Sequence, residues 1–166
     1  MKRSSACFSA AVFPVMLVLL TFLGLPVLAF AQNINTPENF PDPQFRAAVE
    51  KFMGVAPGGA FTAAQAAEKS DVFDCSSCRI EDMAGIEFFT GITGLDCYWN
   101  QLTRLDVSAN TALKVLNCWS NQLTSLDVSA NTALVELDCS ENQLTSLDVS
   151  GDMALEYLHC EYNQLT

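Results

Sequence analysis

One fixed interval, repeated along the second half of this chain, limits what the sequence can fold into. Cys97, Cys118, Cys139 and Cys160 keep that step, and so do Leu95, Leu116, Leu137 and Leu158. Asn100, Asn121, Asn142 and Asn163 keep it too, each followed by Gln-Leu-Thr, and "LDVS" recurs around Asp106, Asp127 and Asp148. A period near twenty residues marks a stacked array in which each copy is one coil and buries its apolar side only against its neighbours.

Within a coil the pattern nests. "LKVLNCWSN" and "LTSLDVSAN" both read L-x-x-L-x-apolar-x-x-N, dividing the repeat into two nearly equal halves. Leu116 and Cys118 are expected to point inward from one extended segment, and Leu126 and Val128 from the other, with the residues between them outward. Asparagine closes each half, where the chain turns and its amide can satisfy backbone groups left unpaired. The expected fold is an α/β repeat solenoid, a stack of short parallel strands about 4.8 Å apart. Phe73 and Cys75 precede Leu95 and Cys97 by one position more than the regular step, so "FDCSSCRI" reads as a divergent first coil and "DMAGIEFFTG" as its irregular return.

Ahead of the repeats, "TPENFPDPQFRAAVEKFMG" predicts a short helix capped by Asp42, with Pro43 at its first position and Gly54 at its end. Phe45, Val49 and Phe52 share one face of it. Thr62 and Gln65 have capping-box spacing for a second short helix. Together these helices are expected to cover the open end of the stack. The segment 1–31 has the form of an export signal: Lys2 and Arg3, an apolar run from Ala10 to Leu23, and Ala29-Phe30-Ala31 before the expected cut. A membrane association is expected only if this segment stays uncleaved. The organisation read from the sequence is thus a signal over 1–31, a linker and helical cap over 32–72, and repeats over 73–166. The chain stops at "EYNQLT", in mid-coil, and a further capping repeat is expected beyond it.

In these residues the chain resembles bacterial leucine-rich repeat proteins, and its 21-residue step with cysteine in the L-x-C position is similar to the cysteine-ladder branch of the internalins. "FPDPQFRAAV" resembles the segment preceding such repeats in exported bacterial proteins. The resemblance implies a curved solenoid, secreted or on a cell surface, used for protein recognition and not for catalysis. No sorting signal or immunoglobulin-like module is read after the repeats.

Charge narrows the partners. Removing Lys2 and Arg3 with the leader takes the formal charge from −11 to −13, and no lysine or arginine follows Lys114. Such a surface repels phosphate backbones, so nucleic acid is not an expected partner. Six cysteines after the leader invite a disulfide framework, but stacked rungs hold Cβ atoms about 4.8 Å apart, wider than a disulfide takes. A ladder of buried free thiols is expected, with a local Cys75–Cys78 disulfide left open and a zinc site at "CSSC" short of two ligands. The column Asp106, Asp127, Asp148 lacks the spacing of known calcium loops. His159, Asp138 and Ser140 lie near one another on an open face without a pocket, so no catalytic residues, metal or cofactor are assigned.

Comparison of the copies points to function. The second half-coil hardly varies, whereas the first varies outwardly in three columns: Gly94, Val115, Glu136, Tyr157; Asp96, Asn117, Asp138, His159; and Tyr98, Trp119, Ser140, Glu161, with Trp99 and Tyr162 flanking the last. The candidate binding face is therefore Asp96, Tyr98, Trp99, Val115, Asn117, Trp119, Glu136, Asp138, Tyr157, His159 and Glu161. Aromatic rings beside carboxylates on a rigid sheet suit a protein ligand carrying a basic patch. Alternatives are a glycan-binding or enzyme-associated module of a longer secreted protein, in which Tyr98, Trp99 and Trp119 stack on sugar rings, or a spacer without ligand.

Overall fold

The computed structural model describes residues 32–151 and 153–166; the expected leader over 1–31 lies outside them. Two helices come first, α1 (Pro43–Met53) and α2 (Ala63–Ala67). Five short strands follow: β1 (Val72–Asp74), β2 (Gly94–Asp96), β3 (Val115–Asn117), β4 (Glu136–Asp138) and β5 (Tyr157–His159), with a 3-10 turn at Ile86–Phe88 between the first two. They form one parallel sheet in chain order. The register follows the repeat: Phe73 pairs with Leu95, Leu95 with Leu116, Leu116 with Leu137 and Leu137 with Leu158.

The caps behave as their residue types dictate. Asp42 Oδ1 accepts from the backbone N–H groups of Gln44 and Phe45, and Gly54 ends α1 in the left-handed conformation at φ 72°. Thr62 and Gln65 form a reciprocal capping box at α2. Asp42 also reaches across the structure: its Oδ2 accepts from Glu81 and Asp82, at 2.7 and 3.2 Å, and ties the cap to the return of the first coil. Burial alone would push this carboxyl up, but the four N–H groups outweigh it and hold it below the ordinary carboxylate range. Beneath, Phe52 stacks on Phe73 with ring centroids 4.4 Å apart, and Phe40, Phe45 and Phe89 pack around them. The cap thus replaces, for the first coil, the neighbour that every later coil has before it.

Leu95, Leu116 and Leu137 are fully buried, as are Cys97, Cys118 and Cys139. The closing asparagines bind neighbouring coils together. Asn121 Nδ2 donates to the carbonyls of Cys97 and Cys118, both at 3.0 Å, and its Oδ1 accepts from the Leu102 N–H. Asn142 and Asn163 repeat this one and two coils on. Each of the carbonyls of Cys97, Cys118 and Cys139 therefore accepts from two asparagines, its own coil's and the next coil's.

The two halves of a coil differ more than the sequence suggests. Leu105, Val107, Leu126 and Val128 point inward as expected, but the second half forms no strand among the described residues. Asp106, Asp127 and Asp148 each use Oδ1 to accept the N–H of the serine two positions on, at 2.9–3.0 Å. This Asx turn withdraws from the backbone a donor that a ladder would need.

All six described cysteines are free, including Cys75 and Cys78. Cys78 Sγ donates to the Ser76 carbonyl, and its N–H donates to Asn100 Oδ1, where later coils close with asparagine. Burial pushes the Cys97 and Cys118 thiols well up, with the neighbouring rungs adding to it, and the Cys139 thiol up to about 12. Among the described residues no three His, Cys, Asp or Glu side chains converge as a metal ion would require.

Candidate functional site

The strand register sets the outward side chains in straight columns. Gly94, Val115, Glu136 and Tyr157 share one, and Asp96, Asn117, Asp138 and His159 another. Strand alternation then puts Tyr98, Trp119, Ser140 and Glu161 on the same face two positions further on. The structure thereby brings the expected surface residues into register. Asn117 Nδ2 donates to Asp96 Oδ1 at 2.7 Å, joining β2 and β3 through their outward side chains.

Three rings gather at one end of this face. Tyr98 and Trp119 stack with centroids 5.1 Å apart and planes 10° from parallel. Trp99 meets Trp119 edge-on at 5.4 Å and 63°. Trp99 sits in the left-handed region at φ 53°, a conformation shared by Ser120, Glu141 and Tyr162 at equivalent turns. Large side chains are uncommon there, yet this turn carries a tryptophan that is 58% exposed and a tyrosine that is 82% exposed. The turn geometry belongs to the fold, and the aromatic choice does not.

Tyr157 lies outside this trio, on β5 in the column of Glu136, and is 58% exposed. Ser140 Oγ donates to Asp138 Oδ1 at 2.6 Å and its N–H to the same oxygen at 3.0 Å. His159 Nδ1 lies 3.7 Å from Glu161 Oε1. The serine hydroxyl is thus committed to the aspartate and the imidazole approaches a different carboxylate, so the three side chains form no Ser-His-Asp relay.

The outward positions of the five strands and the residues that extend them carry Asp74, Asp96, Glu136, Asp138 and Glu161, and no lysine or arginine. The candidate face read from the sequence omits Ser140. Its column contains the signal, two aromatic residues followed by one short side chain, but the significance depends on how the rings lie.

The family model for leucine-rich repeats, two copies, matches residues 111–151. Internalin J of Listeria monocytogenes serotype 4b (strain F2365) is 42% identical over 72 residues, which are 43% of this chain and 8% of that protein. The solved functional domain of InlJ from Listeria monocytogenes, described as including a cysteine ladder, matches with a TM-score of 0.76 at 42% identity, over 78% of this chain and 29% of that one. An internalin, inlF, from Listeria monocytogenes strain 4b F2365 shares the fold at a TM-score of 0.68 and 19% identity, over 83% of this chain and 48% of the other. The chain therefore spans less than a third of the InlJ domain. The cysteine-ladder resemblance read from the repeat is the one these comparisons return.

Proposed function

We propose that this internalin-like leucine-rich repeat solenoid is an exported, non-enzymatic recognition module, secreted or held at a cell surface, that binds a protein ligand on its strand face. The proposed organisation is a leader over 1–31, a cap over 32–72 and recognition coils over 73–166. One observation carries the reading: a scaffold whose buried and closing residues repeat almost unchanged presents varied aromatic and acidic side chains, half-buried or exposed, on one face. Rings such as Trp99 and Trp119 bury much area with few rotors to freeze, and the strand scaffold fixes their positions beforehand. The excess of carboxylates favours a ligand with a basic patch and faster encounter with it.

A photo-crosslinking residue at Glu136, on the strand face, or at Ser125, on the second half-coil, tests this. Exposed to a mixture of extracellular proteins, the Glu136 position is expected to trap a partner that excess unlabelled chain competes away. Trapping should fall at least tenfold with Trp119→Ala and weaken as salt rises. Equal trapping from both positions would place recognition elsewhere. Salt-insensitive capture of a glycan instead, lost with Trp119→Ala, would replace the protein ligand with a sugar.

A further inference from the structure

The strand face contains a place shaped for one kind of group. Tyr98 and Trp119 come from adjacent coils, and their nearly parallel rings are separated by about one ladder step. The ring planes therefore lie across the stacking direction. One face of the Trp119 indole is covered by Tyr98, and the other looks along the stack toward the next coil. There the column position belongs to Ser140, whose hydroxyl is drawn down onto Asp138. A serine so held is too short to cover an indole. Trp99, on the coil of Tyr98, meets Trp119 edge-on.

The surroundings define what fits. Asp138 spends Oδ1 on Ser140 and has Oδ2 to offer. Glu161 occupies the following place in the column of Ser140, Glu136 lies two positions before Asp138 on the same strand, and exposed Glu141 follows Ser140. The half-buried indole is thus bordered by carboxylates, with no lysine or arginine in the outward columns; His159 approaches only Glu161, at 3.7 Å. An aromatic face beside carboxylates suits a planar cation. The guanidinium group stacks on a ring and presents in-plane N–H donors to a carboxylate at its edge. An ammonium has the charge without the plane, and a neutral sugar gains no ion pairing from the acids.

We infer that the uncovered face of Trp119, above Ser140, is an arginine subsite, in which a guanidinium from the protein partner takes the third place in the Tyr98–Trp119 stack and donates at its edge to Asp138. This inference rests on the protein-recognition reading of the strand face and specifies the chemistry of its ligand.

The chain has two tryptophans, so 15N-labelled full chain gives two indole N–H signals, assigned with Trp99→Phe. Acetyl-Gly-Arg-Gly-amide, its citrulline and lysine counterparts and N-acetylglucosamine are titrated separately at low salt. The arginine peptide is expected to move the Trp119 signal with a half-saturation concentration at least fivefold below those of the citrulline and lysine peptides. Asp138→Asn should weaken it at least fivefold. Ser140→Tyr, which sets a ring where the two preceding coils already have one, should abolish the shift and leave the thermal unfolding midpoint in place. An equal response to citrulline, a response to the sugar alone, or an arginine response that survives Ser140→Tyr would overturn the subsite.

The crosslinking assay separates this from the broader reading. Partner capture from Glu136 with no arginine response of Trp119 discards the subsite and keeps the recognition face. An arginine response without any protein capture discards both, because the subsite is assigned to a protein's side chain.

Discussion

Asn121 shows how much one residue carries in this architecture. Its Nδ2 donates to the buried carbonyls of Cys97 and Cys118 and, at 3.4 Å, to that of Trp119, and its Oδ1 accepts the Leu102 N–H. Alanine there would leave the Leu102 N–H without a partner and reduce the Cys97 and Cys118 carbonyls to one donor each. An orphaned buried donor costs about 1–3 kcal/mol and each of the two hydrogen bonds lost to Cys97 and Cys118 about 1 kcal/mol, so Asn121→Ala is expected to destabilise by about 3–5 kcal/mol. Aspartate should not rescue it, since a carboxylate has no N–H to give. Denaturant titration against Ser129→Ala, at an exposed position, measures the difference. A loss no greater than that control's would mean the asparagine column is dispensable. Comparable reasoning explains cysteine at the inward position beside leucine. It is a small apolar side chain that fills the column without asking for a hydrogen bond.

At the scale of one element, the cysteine ladder yields a chemical expectation. Burial raises the thiols of Cys97, Cys118 and Cys139, the last to about 12, and the thiolate is the reactive form. Iodoacetamide at pH 8 should therefore label half-buried Cys78 and Cys160 first and reach the three inner rungs only after denaturation, as read by mass spectrometry of peptides. Rapid labelling of Cys118 in the native chain would show that the middle coil opens locally. The ladder and both helical caps were legible in the sequence because each rests on residue identity at fixed spacing: the regular step sets the register, Asp42 and Gly54 bracket α1, and Thr62 with Gln65 starts α2. The missing second strand was not legible. Alternating Leu126 and Val128 reports which side chains are buried, and that alternation says nothing of backbone pairing, which Asp127 diverts into a local turn. The columns of the recognition face were readable one residue at a time, but the uncovered side of Trp119 emerged only from the relative tilt of two rings.

Across the whole molecule, support is uneven. The cap encloses the first coil with an aromatic cluster, and the central coils bury Leu116 and Leu137 completely, whereas Leu158 is 39% exposed and Leu165 40%. Stability in such arrays comes from contacts between neighbours, so opening should begin where burial is least. Hydrogen exchange followed by mass spectrometry is expected to be fastest over residues 153–166 and slowest around Cys97 and Cys118, whose N–H groups donate to the carbonyls of Asn117 and Asp138. Uniform exchange across all five strands would instead indicate a single cooperative unit. Tyr157, His159 and Glu161 lie on the coil expected to open first. The Trp119 region, two strands inward, is held on both sides.

The shared carbonyls have one more consequence, for how such a protein changes over generations. Each coil is joined to the next through an asparagine that any neighbouring copy supplies in the same position. A duplication of one whole coil would therefore insert a unit whose two sides already match what flanks it. Descendants could lengthen the array or exchange its outward residues in whole units, and selection could explore new ligands without having to re-solve the core.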